Sequence, residues 1–164
     1  MVPTEYEAKK RRTRSDYGYH QVHQTRWFDN DMYAHLNNTV YTALFDTIAN
    51  SYLIEHCGMN PFTASNISGG TDQIGLIVST HCDFFASVAF PDTLEVGLRV
   101  AKLGSSSVTW EIGVFRKGEE NVKMVGTYTH VFVLRETMRA GKEGMESRVR
   151  QGLQKLLSSP EAKL

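Results

Sequence analysis

Polar side chains of the types that carry out acyl chemistry are concentrated in one short stretch of the chain. The ten residues 29–38, DNDMYAHLNN, contain two acids, one histidine and three asparagines, and a helix pattern begins directly after them. Helix N-termini expose unpaired N–H groups and the positive end of the helix dipole. A carboxylate beside such amides, here Asp31, can attack a carbonyl or activate water while the amides hold the oxyanion. The stretch is compatible with acyl transfer that uses neither serine nor cysteine.

The same residues also fit a purely structural role. Asp29, Asp31 and Asn37 are residue types typical of turns and helix caps, where they need no chemistry. His35 fits a role in ordering the loop together with Asn37, and it fits a capped or buried loop histidine equally well. Residue types and spacing alone therefore leave a catalytic and a structural interpretation open.

A long amphipathic helix is predicted directly after the polar stretch. Between residues 40 and 53, apolar side chains recur at spacings of one, three, four and seven, which places them on one broad stripe. Asn37 or Asn38 is a suitable N-cap, and Gly58 with Pro61 is a suitable stop. The helix would have about five turns and a length of roughly 30 Å, so it needs a broad partner.

Strand-like segments make up most of the remaining chain. Residues 19–28 are rich in β-formers and predict a strand before the polar stretch. After a Ser-, Asn- and Gly-rich loop, four more strand segments follow, separated by short turns that favour antiparallel neighbours. These segments are IGLIVSTHCDFFASVAF, TLEVGLRVAKLG, SSSVTWEIGVFRKG and NVKMVGTYTHVFVLRE. Residues 145–157 predict a short C-terminal helix.

This order of elements predicts an α+β fold. A long central helix packed on a curved antiparallel sheet of about five strands is the economical way to bury both apolar faces. We expect one domain over residues 18–164. Residues 1–17 are densely basic and have no apolar anchor, which predicts a disordered tail.

Composition limits the class of function. Lys plus Arg equals Asp plus Glu at 18 each, which argues against a nucleic-acid binder, and no apolar run is long enough to span a membrane. Cys57 and Cys82 are far apart, which favours a reducing, cytoplasmic location without disulfides or a cysteine zinc site. His20 and His23 would face opposite sides of a strand, so no metal site is predicted and no cofactor is expected.

One motif resembles the signature of a known family. The segment DMYAHLNN, residues 31–38, resembles the D-x-x-G-H-V-N-N motif of hotdog-fold acyl-CoA thioesterases of the 4-hydroxybenzoyl-CoA thioesterase-like group. The likeness continues through the aromatic-rich helix, the segment FPDTLEV at residues 90–96 and the Ser-rich hairpin LGSSSV at residues 103–108. It covers roughly residues 19–135, and the predicted element order is also the hotdog order.

The resemblance implies a fold, an activity and a site. It implies a hotdog fold, hydrolysis of an acyl-CoA thioester, and active sites at the interface of a homodimer or a dimer of dimers. Asp31 matches the catalytic carboxylate, as nucleophile or general base, with His35 and Asn37 in the same motif. We expect substitution of Asp29 to cost far less activity than substitution of Asp31. The residues expected to bind substrate are Asn38, Tyr41, Arg99, Ser106 and Ser107, with arginine suited to CoA phosphates.

Two departures from the motif and one further acid keep alternatives open. Ala34 stands where the family usually has glycine, and Leu36 stands where valine is common. Ala34 matters if this position needs a positive φ or close approach of substrate. A protein that binds acyl thioesters without turnover, as a carrier or scaffold, is therefore the alternative function. An acyl-CoA hydratase is disfavoured because no matching Asp and His pair is present elsewhere. Asp46, on the helix, is expected to be a solvated acid, although related enzymes sometimes carry a working acid there.

Overall fold

A computed structural model describes residues 4–62 and 70–157 of the 164-residue chain. Its helices and strands, in chain order, are α1 (Glu5–Lys10), β1 (Tyr19–Gln24), α2 (Asn38–Cys57), β2 (Gln73–Phe84), β3 (Thr93–Leu103), β4 (Ser107–Arg116), β5 (Val122–Leu134) and α3 (Ser147–Gln154). Short 3₁₀ turns at Arg14–Asp16 and Trp27–Asp29 flank β1. The predicted Ser- and Gly-rich loop lies partly outside the described residues.

The five strands form one antiparallel sheet in the order β1-β3-β4-β5-β2, and α2 packs across one face of it. Alternate residues of β3, namely Leu94, Val96, Leu98 and Val100, join the core under the helix. The α+β class and the hotdog fold are thereby confirmed.

Helix α2 forms where the sequence predicts it. Asn37 is the N-cap, with its side chain accepting a hydrogen bond from the Thr39 N–H, and Gly58 ends the helix at a φ of 63°. Its buried stripe consists of Tyr41, Leu44, Phe45, Ile48, Ala49, Tyr52, Leu53 and Cys57. The ring of Phe45 lies so close to Gly126 of β5 that a side chain there would collide with it. Each large apolar side chain buried in this way contributes about 1.5–3 kcal/mol.

Two predicted strands end earlier than expected. β1 stops at Gln24 because the chain turns back at Arg26, whose N–H donates to the Asp29 carboxylate. β2 stops at Phe84 because the N–H groups of Phe85 and the next residue both donate to one carbonyl, that of Lys123. Sharing one acceptor breaks the regular pairing with β5.

The N-terminal segment differs from the prediction of a disordered tail. Residues 4–17 pack against the outer face of the sheet, opposite α2. Lys9 binds Asp83 at 2.9 Å, Arg12 binds Glu111 at 2.9 Å, and Tyr17 is buried with its ring over Gly97 and Gly113. The prediction was wrong because the acids that pair with these cations are far away in sequence and come together only in the sheet.

A buried histidine lies in the core between the sheet and α2. The Nε1 of Trp110 donates to the Nδ1 of His130 at 3.0 Å, so Nδ1 must remain unprotonated. Burial lowers the pKa of His130 to about 4, although the Asp46 carboxylate acts in the opposite direction. The neutral imidazole is therefore part of the folded core.

This histidine predicts a loss of stability at acidic pH. The pKa of His130 is lower in the folded chain, so the unfolded chain binds more protons between pH 6.5 and about 4. Its contribution to stability therefore falls as the pH falls through this window. His130→Gln offers Trp110 an acceptor that does not titrate. We measure the free energy of unfolding by urea titration at pH values from neutral to 4. Over this range we expect it to fall by about 3 kcal/mol more for the wild type than for the variant. If the difference in free energy of unfolding between the wild type and the variant did not change with pH, this expectation would be wrong.

Candidate active site

The loop between β1 and α2 holds the Asp31 carboxylate by one of its two oxygens. Oδ1 accepts hydrogen bonds from the backbone N–H groups of Tyr33 at 2.8 Å and His35 at 3.2 Å. The Asp31 N–H in turn donates to the His35 carbonyl at 2.8 Å. Among the described residues, Oδ2 has no hydrogen-bond partner. The loop therefore fixes the orientation of the carboxylate and leaves one oxygen available.

Backbone hydrogen bonds fix this loop to its surroundings. The Leu36 N–H donates to the Val88 carbonyl at 2.8 Å, and the Asn37 N–H donates to the Asp29 carbonyl at 2.7 Å. The side chain of Asn30 accepts from the Phe90 N–H at 2.9 Å. Residues on both sides of Asp31 are thus bound to the segment that follows β2.

The start of α2 supplies an unpaired donor beside this loop. Asn37 uses its side-chain oxygen to cap the Thr39 N–H at 3.0 Å, which gives Asn37 a structural role. The N–H of Asn38, the first helical residue, makes no hydrogen bond with the described part of the chain. This amide lies at the positive end of the helix dipole, where it can stabilise negative charge on an oxygen.

A cavity of about 310 Å³ opens next to this helix end. Its lining residues are His35, Leu36, Asn38, Tyr41, Phe84, Phe85, Ala86, Ser87 and Val88. The structure therefore brings together three predicted site residues, His35, Asn38 and Tyr41. Asp31 does not itself line the cavity, but it is hydrogen-bonded to the backbone of His35.

Sequence reasoning missed most of the opposite wall of this cavity. Residues 85–88 fall in a segment predicted as strand, whereas the structure places them in the loop after β2. The Phe84-Phe85 pair, two consecutive large aromatics at the end of a strand, was the available sign that an acyl group could bind there. Nothing local shows that the chain leaves the sheet at this point.

Tyr41 is the buried polar side chain of the cavity. It is only 2% exposed, and its ring contacts Phe84 edge-on with the centroids 5.2 Å apart. Burial raises the pKa of Tyr41 to about 12, with smaller contributions from Cys82 and Asp92. Its hydroxyl is therefore neutral and able to donate a hydrogen bond at ordinary pH.

Asp29 has a structural position, in contrast to Asp31. It is 2% exposed and accepts hydrogen bonds from the Arg26 N–H at 2.8 Å and the Arg26 guanidinium at 2.9 Å. Burial favours the neutral acid, but the hydrogen bonds from Arg26 outweigh it and lower the pKa of Asp29. Asp29 is therefore a carboxylate that fixes the start of the loop through its bonds to Arg26.

The remaining predicted substrate contacts lie elsewhere in this chain. Arg99 is buried on the outer face of the sheet, where it binds Glu111 at 2.9 Å near the ring of Tyr17. Ser106 and Ser107 lie at the turn between β3 and β4, where their carbonyls accept backbone N–H groups. The structure does not bring these three residues together with the cavity beside α2.

Asp46, expected to be a solvated acid, accepts two side-chain hydrogen bonds. Its Oδ1 accepts hydrogen bonds from the Tyr128 hydroxyl at 3.0 Å and from the Asn50 amide at 3.0 Å. The carboxylate therefore links α2 to β5.

Within residues 4–62 and 70–157, no group of three or more potential ligand side chains could hold a metal ion. In the same residues, no helix is both long and apolar enough to cross a membrane. His20 and His23 lie on opposite faces of β1, as predicted.

The position of Ala34 explains why its residue type matters. Ala34 has a φ of 58°, in the left-handed region where the family motif usually places glycine. A side chain in this region crowds the backbone and costs roughly 1–2 kcal/mol. The loop that holds Asp31 thus forms despite local strain.

Comparisons with known proteins agree with this fold. The model of the thioesterase superfamily matches residues 33–123, more than half of the chain. The chain therefore belongs to the thioesterase superfamily, a class of thioester hydrolases. The PA5185 protein from Pseudomonas aeruginosa strain PAO1 is 43% identical, with 90% of this chain and 96% of that chain covered and a TM-score of 0.80.

More distant solved structures share the fold. Slr0204, a 1,4-dihydroxy-2-naphthoyl-CoA thioesterase from Synechocystis, is 14% identical, covers 84% of this chain and 96% of its own, and has a TM-score of 0.70. SAV2348 from Staphylococcus aureus, solved in complex with CoA, is 11% identical, covers 87% and 89%, and has a TM-score of 0.73. At these identities the likeness shows the fold alone. No match to a curated protein was found.

Replacing Ala34 by glycine is expected to stabilise the chain. Ala34→Gly removes the crowding, which outweighs the roughly 0.4–1 kcal/mol that glycine adds to the entropy of the unfolded state. Ala43, exposed within α2, is the matched control, because Ala43→Gly should destabilise by about 1 kcal/mol. Melting temperatures of the two variants should therefore move in opposite directions. A decrease in both would show that Ala34 is not strained.

Proposed function

We propose that this chain hydrolyses an acyl-CoA thioester to the free acid and CoA. One observation carries the proposal: Asp31 Oδ2 and the Asn38 N–H have no partner among the described residues, Asp31 is hydrogen-bonded to the backbone of His35, and both His35 and Asn38 line the cavity. The first group can act on a carbonyl carbon and the second can hold the carbonyl oxygen. The cavity then provides room for the acyl group.

The free carboxylate oxygen starts the reaction in either of two ways. As a general base, Asp31 takes a proton from water while the water oxygen bonds to the thioester carbon. As a nucleophile, it bonds to that carbon itself, and water later hydrolyses the anhydride. In both routes the Asn38 N–H stabilises the oxyanion, and the carbon–sulfur bond breaks to release CoA as the thiolate. The thiolate takes up the proton that Asp31 removed from water in the first route, and a proton from solvent in the second.

CoA as the carrier is supported by the comparisons. Slr0204 acts on a CoA thioester and SAV2348 was solved with CoA, and both share the fold of this chain. A protein that binds acyl thioesters without turnover remains the second candidate, because the strained Ala34 lies in the loop that positions Asp31.

We further propose that two copies of the chain associate through β2. This strand forms one edge of the sheet, and residues 77–81 are all exposed on both of its faces. Ile77 and Val78 add apolar surface to an unpaired strand edge, a combination that favours pairing with a second strand. A partner copy could also complete the site, because Asp31 does not line the cavity of its own chain.

Asp31→Asn tests the hydrolase proposal directly. Asparagine keeps the shape and the hydrogen bonds to Oδ1 but removes the basic oxygen, and a general base typically contributes about 10²–10⁴-fold. Release of free thiol from a panel of acyl-CoA esters should therefore fall by at least about 10²-fold, with the melting temperature nearly unchanged.

Two aspartates serve as controls. Asp72→Asn, at an exposed position, should change neither rate nor stability. Asp29→Asn should lower the melting temperature, because asparagine pairs less well with the Arg26 guanidinium. Equal turnover by the wild type and Asp31→Asn would refute the catalytic role, and binding of the esters without any turnover would favour the second candidate.

The proposed interface has a matched pair of test positions. Val78 on β2 is 60% exposed and Val22 on β1, at the opposite edge of the sheet, is 70% exposed. The wild type should sediment at no less than twice the 18.5 kDa chain mass. Val78→Lys should shift it toward the monomer and Val22→Lys should not, since a charge opposes association only at the interface. A monomeric wild type at micromolar concentration would refute the interface.

A further inference from the structure

The hydroxyl group of Tyr41 lacks the partner that a buried tyrosine usually has. Buried tyrosine hydroxyls are normally hydrogen-bonded. Tyr52, the buried tyrosine three turns along α2, follows this rule and donates to the Gly152 carbonyl at 2.8 Å. The Tyr41 side chain as a whole is equally buried, but its hydroxyl oxygen is not fully enclosed and makes no hydrogen bond with any residue that the structure describes. Because Tyr41 lines the cavity, this hydroxyl is available to a ligand, and an acyl group that fills the cavity must provide its hydrogen-bond partner.

The distribution of polar groups in the cavity shows where such a ligand atom would lie. His35, Asn38 and Ser87 line the cavity but are exposed, so they mark its mouth. The buried lining residues are Leu36, Val88 and Tyr41. The inner end is therefore apolar except for one phenol hydroxyl, which is neutral at ordinary pH.

We propose that Tyr41 determines specificity by hydrogen bonding to an oxygen on the acyl group, so that the preferred substrates are hydroxyacyl or oxoacyl thioesters. This inference rests on the proposed function. Asn38 and Tyr41 are three residues apart on α2 and lie on neighbouring positions of one helix face. A thioester oxygen held at the Asn38 N–H places the acyl chain alongside this face, and the chain reaches Tyr41 with atoms beyond the thioester.

The energetic reason for the preference is the cost of an unmade hydrogen bond. A plain alkyl chain that fills the inner end of the cavity leaves the Tyr41 hydroxyl buried without a partner. An acyl chain with an oxygen at the matching carbon supplies that partner. Sites built to hydrogen-bond a substrate group discriminate strongly against the analogue that lacks it.

Binding of non-hydrolysable thioether analogues tests this role independently of turnover. The probes are the analogue of hexanoyl-CoA and those of hydroxyhexanoyl-CoA esters with one hydroxyl at successive carbons, titrated calorimetrically. At least one hydroxylated analogue should bind the wild type about 10- to 100-fold more tightly than the plain analogue. In Tyr41→Phe this preference should vanish, with the plain analogue bound as tightly as by the wild type or more tightly.

Two tyrosine variants separate specificity from a structural role. Tyr6 on α1 does not line the cavity, and Tyr6→Phe keeps the ring that contacts Phe85, so this variant should keep the wild-type preference. Tyr41→Phe should melt no lower than the wild type because it loses no hydrogen bond, whereas Tyr52→Phe should melt lower. The same preference in wild type and Tyr41→Phe, or no preference in the wild type, would overturn the proposal. If the wild type hydrolysed none of the acyl-CoA esters but kept the binding preference, the hydrolase proposal would be refuted and the role of Tyr41 in specificity would stand.

Discussion

Burial of one stripe of α2 against the sheet is the constraint on which the site depends. Phe45, packed over Gly126, fixes the helix along its axis and in rotation. The helix start therefore has a defined position, and with it the N–H of Asn38 and the side chain of Tyr41. Backbone hydrogen bonds fix the loop before the helix relative to the helix start. The position of the Asp31 carboxylate therefore depends on the packing of Phe45 farther along α2.

Asp29 and Asp31 are two residues apart and of the same type, but they have different roles in the structure. Asp29 is buried as a carboxylate paired with Arg26, whereas Asp31 holds the loop with one oxygen and has no partner among the described residues for the other. Both fit a turn equally well by sequence. The difference arises from depth, because a buried carboxylate must satisfy all its hydrogen bonds within the protein and a peripheral one need not.

The elements that the sequence predicts correctly are those whose signals are local. The periodicity of α2, its cap at Asn37 and its stop at Gly58 all lie within a few residues of the feature they define. The wall at residues 85–88 depends instead on a pairing with β5 that breaks at Lys123, almost forty residues away. Burial of Arg99 similarly depends on Glu111 in the next strand. The wall of the cavity and the burial of Arg99 depend on contacts between segments that are distant in sequence, and local sequence patterns do not predict such contacts.

The packing of the N-terminal segment has a geometric consequence for assembly. With α2 on one face and residues 4–17 on the other, a single chain covers its own sheet from both sides over much of its area. Layers of such sheets have little bare surface on which to stack face to face. The proposed pairing through β2 lies instead in the plane of the sheet, at an edge strand whose residues 77–81 are exposed. Face-to-face packing of two copies is in this sense limited by the N-terminal segment, whose Tyr6 also contacts Phe85 in the wall of the cavity.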